Sequence, residues 1–127
     1  MTLEPNCLHL EFPHGIPAFE TEKQFRLIER EPLLFLESET SSNLSFLLLP
    51  VALIDPEYRL AISAEDKETL GARPESRLLC LAVVTAAEDS PPTVNLLAPV
   101  VVNLDNGKAV QAVRSDAVYS HKKVICS

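Results

Sequence analysis

Ten prolines constrain the fold of this chain more than any other feature of its sequence. They are spread from position 5 to position 99, and only three glycines accompany them in 127 residues. Proline removes a backbone donor and disrupts the interior of a helix, so a long helix cannot form across this region. The segments between the prolines are short and rich in apolar and β-branched residues. This spacing predicts many short strands within one domain that spans residues 1–127.

Two hydrophobic patterns predict where the strands lie. Residues 8–12 and 24–27 alternate apolar with polar side chains, which is typical of half-buried strands. Residues 33–36, 46–49 and 78–84 are continuously apolar, which predicts strands covered on both faces.

Later in the chain, the pair Asn106-Gly107 separates two apolar runs and predicts a β-hairpin with a type I′ turn. Pro99, just before the first of these runs, predicts a bulge, bend or edge because it cannot donate to a strand ladder.

Only one segment favours a helix. Ser63 is expected to cap residues 64–70, with Glu65 and Asp66 in the first turn and Gly71 at the end. The chain lacks the strand–helix alternation of parallel α/β folds. We therefore predict a mainly β fold, an antiparallel barrel-like single domain with one or two short helices, and a frayed tail over about 121–127.

The charge distribution narrows the range of partners. The net charge is −7, and residues 1–107 hold 17 acids against 7 bases, whereas residues 108–127 hold one acid against four bases. An acidic body repels phosphate backbones, so we expect no direct nucleic-acid binding, while a basic protein partner is electrostatically favourable.

Neither a membrane span nor a secretory signal is visible. The longest apolar runs are shorter than the roughly 20 residues that cross a bilayer, and the N-terminus lacks a basic start and an apolar segment. We expect a cytoplasmic protein with no membrane partner.

The three cysteines predict no disulfide framework. Cys7, Cys80 and Cys126 form an odd set without a close pair, and Cys80 lies in an apolar run typical of a buried thiol. No glycine-rich phosphate loop and no zinc-ligand spacing occurs, so we expect no catalytic residues, no cofactor and no metal. His121 with Cys126 gives only weak support for a metal site.

One alternative function is a small β-barrel enzyme or ligand-binding module. It would use Cys7 beside His9 as a nucleophile, or a carboxylate pair for acid–base work. The pairs at suitable spacing are Glu29/Glu31 and Glu37/Glu39. Since alternate residues on a strand share a face, a solvated strand surface accounts for both pairs more simply.

Two further segments have a structural and a functional interpretation. Residues 12–20 carry two aromatics and two prolines around Gly15, which suits a rigid crossover at a barrel end or a preorganised apolar loop for a partner. Asn95 and Asn103 are unusual in a strand unless their amides satisfy neighbouring backbone groups, and we favour that structural role.

Five blocks of residues follow one another in a fixed order between positions 12 and 119. They are Phe12-x-x-Gly15-Ile16-Pro17-x-Phe19-Glu20, then Phe35-Leu36-Glu37-Ser38 with Phe46 and Pro50, then Asp55-Pro56-Glu57-Tyr58, then the run Asn95-Leu96-Leu97-Ala98-Pro99-Val100-Val101-Val102-Asn103, and finally Gln111 with Tyr119. Together these blocks resemble the flagellar assembly factor FliW family. Ala18 stands where that family usually has a second glycine, which puts a positive φ there in question, and Glu37 replaces its usual glutamine and adds a negative charge.

The resemblance implies a cytoplasmic, non-enzymatic β protein that binds flagellin before export. When free, such a protein binds and antagonises CsrA, an RNA-binding translational repressor. The resemblance also suggests structural roles for Phe12, Gly15, Pro17, Ser38, Phe46, Asn95, Asn103 and Gln111. A third interpretation is a structural β module that binds neither partner.

Two binding surfaces are expected from these blocks. An acidic face for the basic CsrA would include Glu20, Glu37 and Glu39, because residues 1–39 hold 8 acids against 3 bases. An apolar groove for an amphipathic flagellin helix would include Ile16, Phe19, Leu97 and Pro99.

Overall fold

The computed structural model describes residues 7–41, 43–116 and 118–125. Strands dominate these residues, and two short helices lie between the fourth and fifth strands. The elements in chain order are β1 (Cys7–Glu11), β2 (Gln24–Arg30), β3 (Leu33–Ser38), β4 (Ser45–Pro50), α1 (Val51–Ile54), α2 (Ala64–Leu70), β5 (Leu78–Ala87), β6 (Ser90–Asn103), β7 (Lys108–Gln111) and β8 (Lys123–Val124).

Seven of the strands close into a barrel. The strand order is β5-β4-β3-β2-β1-β7-β6, and pairing of β5 with β6 closes it. All of these neighbours are antiparallel except β1 and β7, which run parallel through Glu11 opposite Lys108. The predicted antiparallel, barrel-like fold is therefore confirmed.

The barrel interior forms the main core. Leu10, Phe25 and Leu36 are fully buried, and Phe12 packs edge-on to Phe25 with ring centroids 5.1 Å apart. The predicted inward face is thus confirmed for β2 and for Leu10 and Phe12, whereas Leu8 at the start of the β1 pattern is 37% exposed.

The strands formed by the continuous apolar runs are not all buried on both faces. In β5, Leu81 joins the inner core, whereas Ala82 packs outside the barrel against α1. In β3 the prediction is wrong, since Leu33 and Phe35 on the outer face are only half-buried. No helix of the described chain packs on β3, whereas α1 packs against β4, β5 and β6, and α2 packs against β5, β6 and β7.

The predicted helix is confirmed as α2. The Ser63 side chain accepts from the Asp66 amide, and Gly71 ends the helix in the left-handed conformation at φ 63°. These caps satisfy amide and carbonyl groups that a helix terminus leaves unpaired.

The hairpin between β6 and β7 is confirmed, but its predicted type I′ turn is wrong. Such a turn needs positive φ at two residues, whereas in the turn 104–107 only Gly107 has one, at 77°. Asn106 instead donates its side-chain amide to the Leu70 carbonyl and anchors the turn on α2. The bulge predicted near Pro99 is present, because the register of β5 on β6 shifts between Val83–Asn95 and Leu81–Val100.

The C-terminal segment returns to the barrel. Within residues 121–125, β8 pairs with β6 at Thr93 and Val94. The predicted fraying of 121–127 stays a prediction, and Cys126 lies outside the described residues. No helix in the described part of the chain is long and apolar enough to cross a membrane.

Candidate functional site

A cavity of about 290 Å³ opens from the barrel core. Its apolar walls are core side chains, among them Leu36, Val83 and Val100, which point inward from β3, β5 and β6. Its remaining walls are Ile16, Pro17, Phe46, Thr85, Thr93, Asn95, Gln111, His121 and Lys122. Residues from four of the five sequence blocks therefore meet at one cavity.

The bulge in β6 shapes one side of this cavity. Four residues of β6 bulge away from β5 here, and their backbone groups need partners other than the ladder. Asn95 supplies them, because its Oδ1 accepts from the amides of Leu97 and Ala98, each at 3.0 Å. Gln111 donates its Nε2 to the Ala98 carbonyl at 3.0 Å. Both side chains thus hold the bulge while they line the cavity.

The loop between β1 and β2 forms another side. Gly15 has φ 68°, and a Cβ there would lie 2.5 Å from the Glu20 Cα, so only glycine fits. Ala18 adopts φ 76°, which resolves the question raised by its replacement of glycine. Its amide donates to the Glu20 carboxylate at 2.8 Å, which helps to hold this strained position.

An aromatic edge and a hydroxyl cluster flank the loop. Phe19 is 41% exposed and packs edge-on to Phe46 at 6.1 Å between ring centroids. Behind it, the buried Ser38 hydroxyl donates to Glu22 at 3.0 Å. Hydrogen bonds from Ser41, and then from Thr40 and Ser38, lower the pKa of Glu22. Sequence reasoning missed Glu22, although the hydroxyl-rich stretch after Ser38 is a signal for such a cluster.

The acidic residues expected to bind a partner each have a local contact. Glu37 pairs with Arg26 at 3.3 Å, and Glu39 lies 2.9 Å from His9 Nδ1. Glu20 bonds within its own loop. All three keep exposed surface, so their partner role stays a prediction.

The apolar groove residues are divided by the structure. Ile16 lines the cavity and Phe19 lies at its aromatic edge, whereas Leu97 and Pro99 are not among the cavity walls found in the described residues. Their carbonyls instead accept from the amides of Arg114 and Ala112, which ties the bulge to the segment after β7. The four residues Ile16, Phe19, Leu97 and Pro99 therefore do not line one common groove at this cavity.

A buried arginine that sequence reasoning missed anchors the C-terminal segment. The Arg114 side chain is 5% exposed and makes a two-point contact with Asp116, at 3.0 Å to Oδ1 and 2.8 Å to Oδ2. Its guanidinium stacks on Tyr58 and Tyr119, 5.3 and 4.7 Å from the ring centroids, and donates to the Arg59 carbonyl. The Asp116 hydrogen bond raises the pKa of Arg114, so it stays charged.

The two tyrosines connect this arginine to the bulge. The Tyr58 hydroxyl donates to the Leu96 carbonyl at 2.7 Å, and Tyr119 accepts from the Arg59 amide at 3.1 Å. The sequence signal for this cluster is that Tyr58 and Tyr119 each belong to one of the five sequence blocks.

In the described residues, Cys7 and His9 do not pair with each other as the nucleophile and base of the alternative enzyme. His9 directs Nδ1 to Glu39, and Cys7 is half-buried in β1. Burial raises the pKa of the Cys80 thiol to about 11, which disfavours the reactive thiolate. Glu29 and Glu31, in contrast, both line a second surface pocket, so that carboxylate pair stays a prediction. In the described part of the chain, no three His, Cys, Asp or Glu side chains group as metal ligands.

Comparisons with known proteins agree with this geometry. The family model described as FliW protein matches residues 2–125. A "Flagellar assembly factor FliW" of Desulfitobacterium hafniense is 36% identical over 115 residues, which cover 87% of this chain and 76% of that protein. One of Pseudothermotoga lettingae is 34% identical over 125 residues, covering 91% and 77%. A crystal structure of the flagellar assembly factor FliW superposes with a TM-score of 0.86 at 27% identity, covering 100% of this chain and 91% of that one.

Proposed function

Since this chain belongs to the FliW family of flagellar assembly factors, we propose that it holds newly made flagellin before export and, when free, binds and antagonises CsrA in the cytoplasm. The family match over residues 2–125 carries this proposal. Competition of two partners for one protein couples flagellin synthesis to its secretion by mass action.

The acidic surface supports a basic partner. Glu37 and Glu39 are separated by one residue at the end of β3, and their side chains are 40% and 28% exposed. Their local partners, Arg26 and His9, are themselves exposed, so these contacts lie in high dielectric and are weak. A partner with several cations can therefore compete with them.

The aromatic edge supports an apolar partner. Phe19 keeps 41% of its surface exposed beside Phe46, and its amide donates to the Ile16 carbonyl at 2.7 Å, which fixes the loop backbone. Exposed aromatic residues on a preorganised loop contribute binding energy with little loss of entropy. We place the flagellin helix against this aromatic edge, next to the buried Ile16, and not against Pro99, which is itself buried.

Calorimetry with purified flagellin and CsrA from the same genome tests the proposal. Each partner should bind alone, and saturation with flagellin should change or abolish the CsrA signal. If a folded sample binds neither partner, the proposal is wrong and the chain is a family member with another role.

Charge reversal tests the acidic face separately. Glu37→Lys with Glu39→Lys should slow CsrA association at low salt and flatten its salt dependence. The matched control is Glu75→Lys, which reverses one charge at an exposed residue of the α2–β5 loop. If the control slows association as much per charge, net charge rather than this face steers the encounter.

A further inference from the structure

Nothing in the function proposed above uses the polar groups of the cavity. The volume of about 290 Å³ lies just below the range typical of ligand sites, about 300–1,000 Å³. At about 30 Å³ for a water-sized atom, it accommodates a molecule of roughly ten heavy atoms. Leu36, Val83 and Val100 give it an apolar floor.

The charge of the walls selects an anion. Among the wall residues of the described chain there is no aspartate or glutamate, and Lys122 contributes a cation beside His121. This occurs in a chain whose net charge is −7. A single cation above an apolar floor suits a carboxylate on an aliphatic group better than a phosphate, which needs more donors.

The polar rim presents one amide donor of fixed orientation, from Asn95, and two threonine hydroxyls that can rotate toward a ligand. Asn95 uses Oδ1 to accept two backbone amides, so its Nδ2 is the group left for a ligand. Thr85 and Thr93 stand opposite each other on β5 and β6. Within the described residues, no hydrogen-bond partner occupies the Asn95 Nδ2 or either threonine hydroxyl; Thr85 is exposed, and at the half-buried Asn95 and Thr93 no buried polar side-chain atom is left unsatisfied. These donors therefore face accessible space.

We propose that this cavity binds a small aliphatic carboxylate, with the carboxylate at Asn95, Thr85, Thr93 and Lys122 and the hydrocarbon on the floor. Gln111 would add a contact only to a ligand with an N–H next to the carboxylate, because its Nε2 is engaged and its Oε1 stays available to accept. Two sources share this chemistry, a free aliphatic acid and the C-terminal residue of a polypeptide.

Titration of ¹⁵N-labelled protein with hexanoate and with N-acetyl-leucine tests the proposal. At least one acid should shift the resonances of Asn95, Thr85 and Thr93 in a saturable way. Hexanamide and N-acetyl-leucinamide should bind at least tenfold more weakly, because they lack the charge that strengthens hydrogen bonds. Binding of hexanoate alone identifies a free acid, and binding of N-acetyl-leucine alone identifies a chain terminus.

Variants locate the site. Asn95→Asp keeps the oxygen that accepts the bulge amides but replaces the donor with a charged acceptor, and it should weaken binding at least tenfold. Lys122→Gln should weaken it severalfold. Lys123→Gln, on the next residue and outside the cavity walls, should leave binding unchanged. The proposal is overturned if neither acid gives saturable shifts, if the amides bind as well as the acids, or if both folded cavity variants bind like the parent.

Discussion

Two points along β6 each combine an asparagine with an arginine–aspartate pair. At one point the asparagine is the buried residue, and at the other the arginine is. At the turn end, Asn103 is 1% exposed while the neighbouring arginine of the Arg77–Asp105 pair is 73% exposed. At the bulge, Asn95 is half-buried beside a cavity while the arginine of the Arg114–Asp116 pair is 5% exposed. Each point has one buried polar anchor. We expect this anchor to contribute most of the stability at each point, which leaves the other polar residue available for other contacts.

The anchor at the turn end is Asn103, and its replacement should have the largest effect. Its Nδ2 donates to the Leu70 carbonyl at the end of α2, and its Oδ1 accepts from the Asp105 amide. Asn103→Asp places a buried carboxylate against a carbonyl and should cost about 3 kcal/mol or more at pH 7. Urea unfolding measures the loss.

The matched variant at the bulge sharpens this result. Asn95→Asp preserves the acceptor of its two amides, so its cost should stay below about 1 kcal/mol. The Asn103→Asp deficit should also shrink at acid pH, because burial raises the pKa of the introduced carboxyl and its protonated form can donate to Leu70. Equal costs for the two variants would contradict the assignment of Asn103 as anchor.

For the arginines, the substitution near the bulge should cost more stability than the substitution at the turn end. Arg114→Met removes a buried guanidinium from Asp116, from the Arg59 carbonyl and from two aromatic rings. It should cost about 2 kcal/mol. Arg77→Met removes an exposed pair and should cost less than about 0.5 kcal/mol.

Thermal or urea unfolding of both variants under the same conditions makes this test. If Arg77→Met destabilises the protein more than Arg114→Met does, burial does not decide whether the asparagine or the arginine is the anchor at each of the two points along β6.

Which of these features the sequence predicts depends on how local their causes are. The helix α2 follows from Ser63 and Gly71, which lie within its own span, and the alternation of β1 and β2 follows from neighbouring residues. The Arg114 cluster does not, because Tyr58 and Tyr119 are brought to it from distant segments by barrel closure. The sequence blocks indicated that these tyrosines matter but not what they contact.

The residues of the site likewise divide into features with local causes, which the sequence predicts, and features that depend on the closed barrel. Asn95 and Asn103 were predicted to satisfy backbone groups, and both do. The cavity could not be predicted, because its walls come from seven strands or connecting segments, which only the closed sheet brings together. The type I′ turn was predicted wrongly because a tertiary contact, Asn106 to Leu70, competes with the local preference.

The loop between β1 and β2, which lines the cavity through Ile16 and Pro17, holds a residue in a strained conformation. Ala18 has φ 76°, a conformation that costs a non-glycine residue about 1–2 kcal/mol, whereas glycine adopts it freely. Part of this gain is offset by the greater freedom of glycine in the unfolded chain, so Ala18→Gly should stabilise the protein by about 0.5–1 kcal/mol. Gly15→Ala is the opposed control and should destabilise it, because its Cβ would meet the Glu20 backbone. Chemical unfolding of both variants gives the two signs, and a destabilising Ala18→Gly would contradict the strain.

The two aspartates offer the smallest and most selective test of the comparison. Hydrogen bonds from Arg114 lower the pKa of Asp116, and hydrogen bonds from Arg77 lower that of Asp105. A carboxyl whose folded-state pKa is depressed contributes stability above its unfolded pKa, near 3.9, and loses it as the pH falls through the folded value. Both Asp116→Asn and Asp105→Asn should therefore reduce the loss of stability between pH 5 and pH 2. Salt separates them, because 1 M NaCl screens the exposed Arg77 more than the buried Arg114. The effect of Asp105→Asn should fade in high salt while that of Asp116→Asn persists, and equal fading would mean that the burial of Arg114 does not protect its pair.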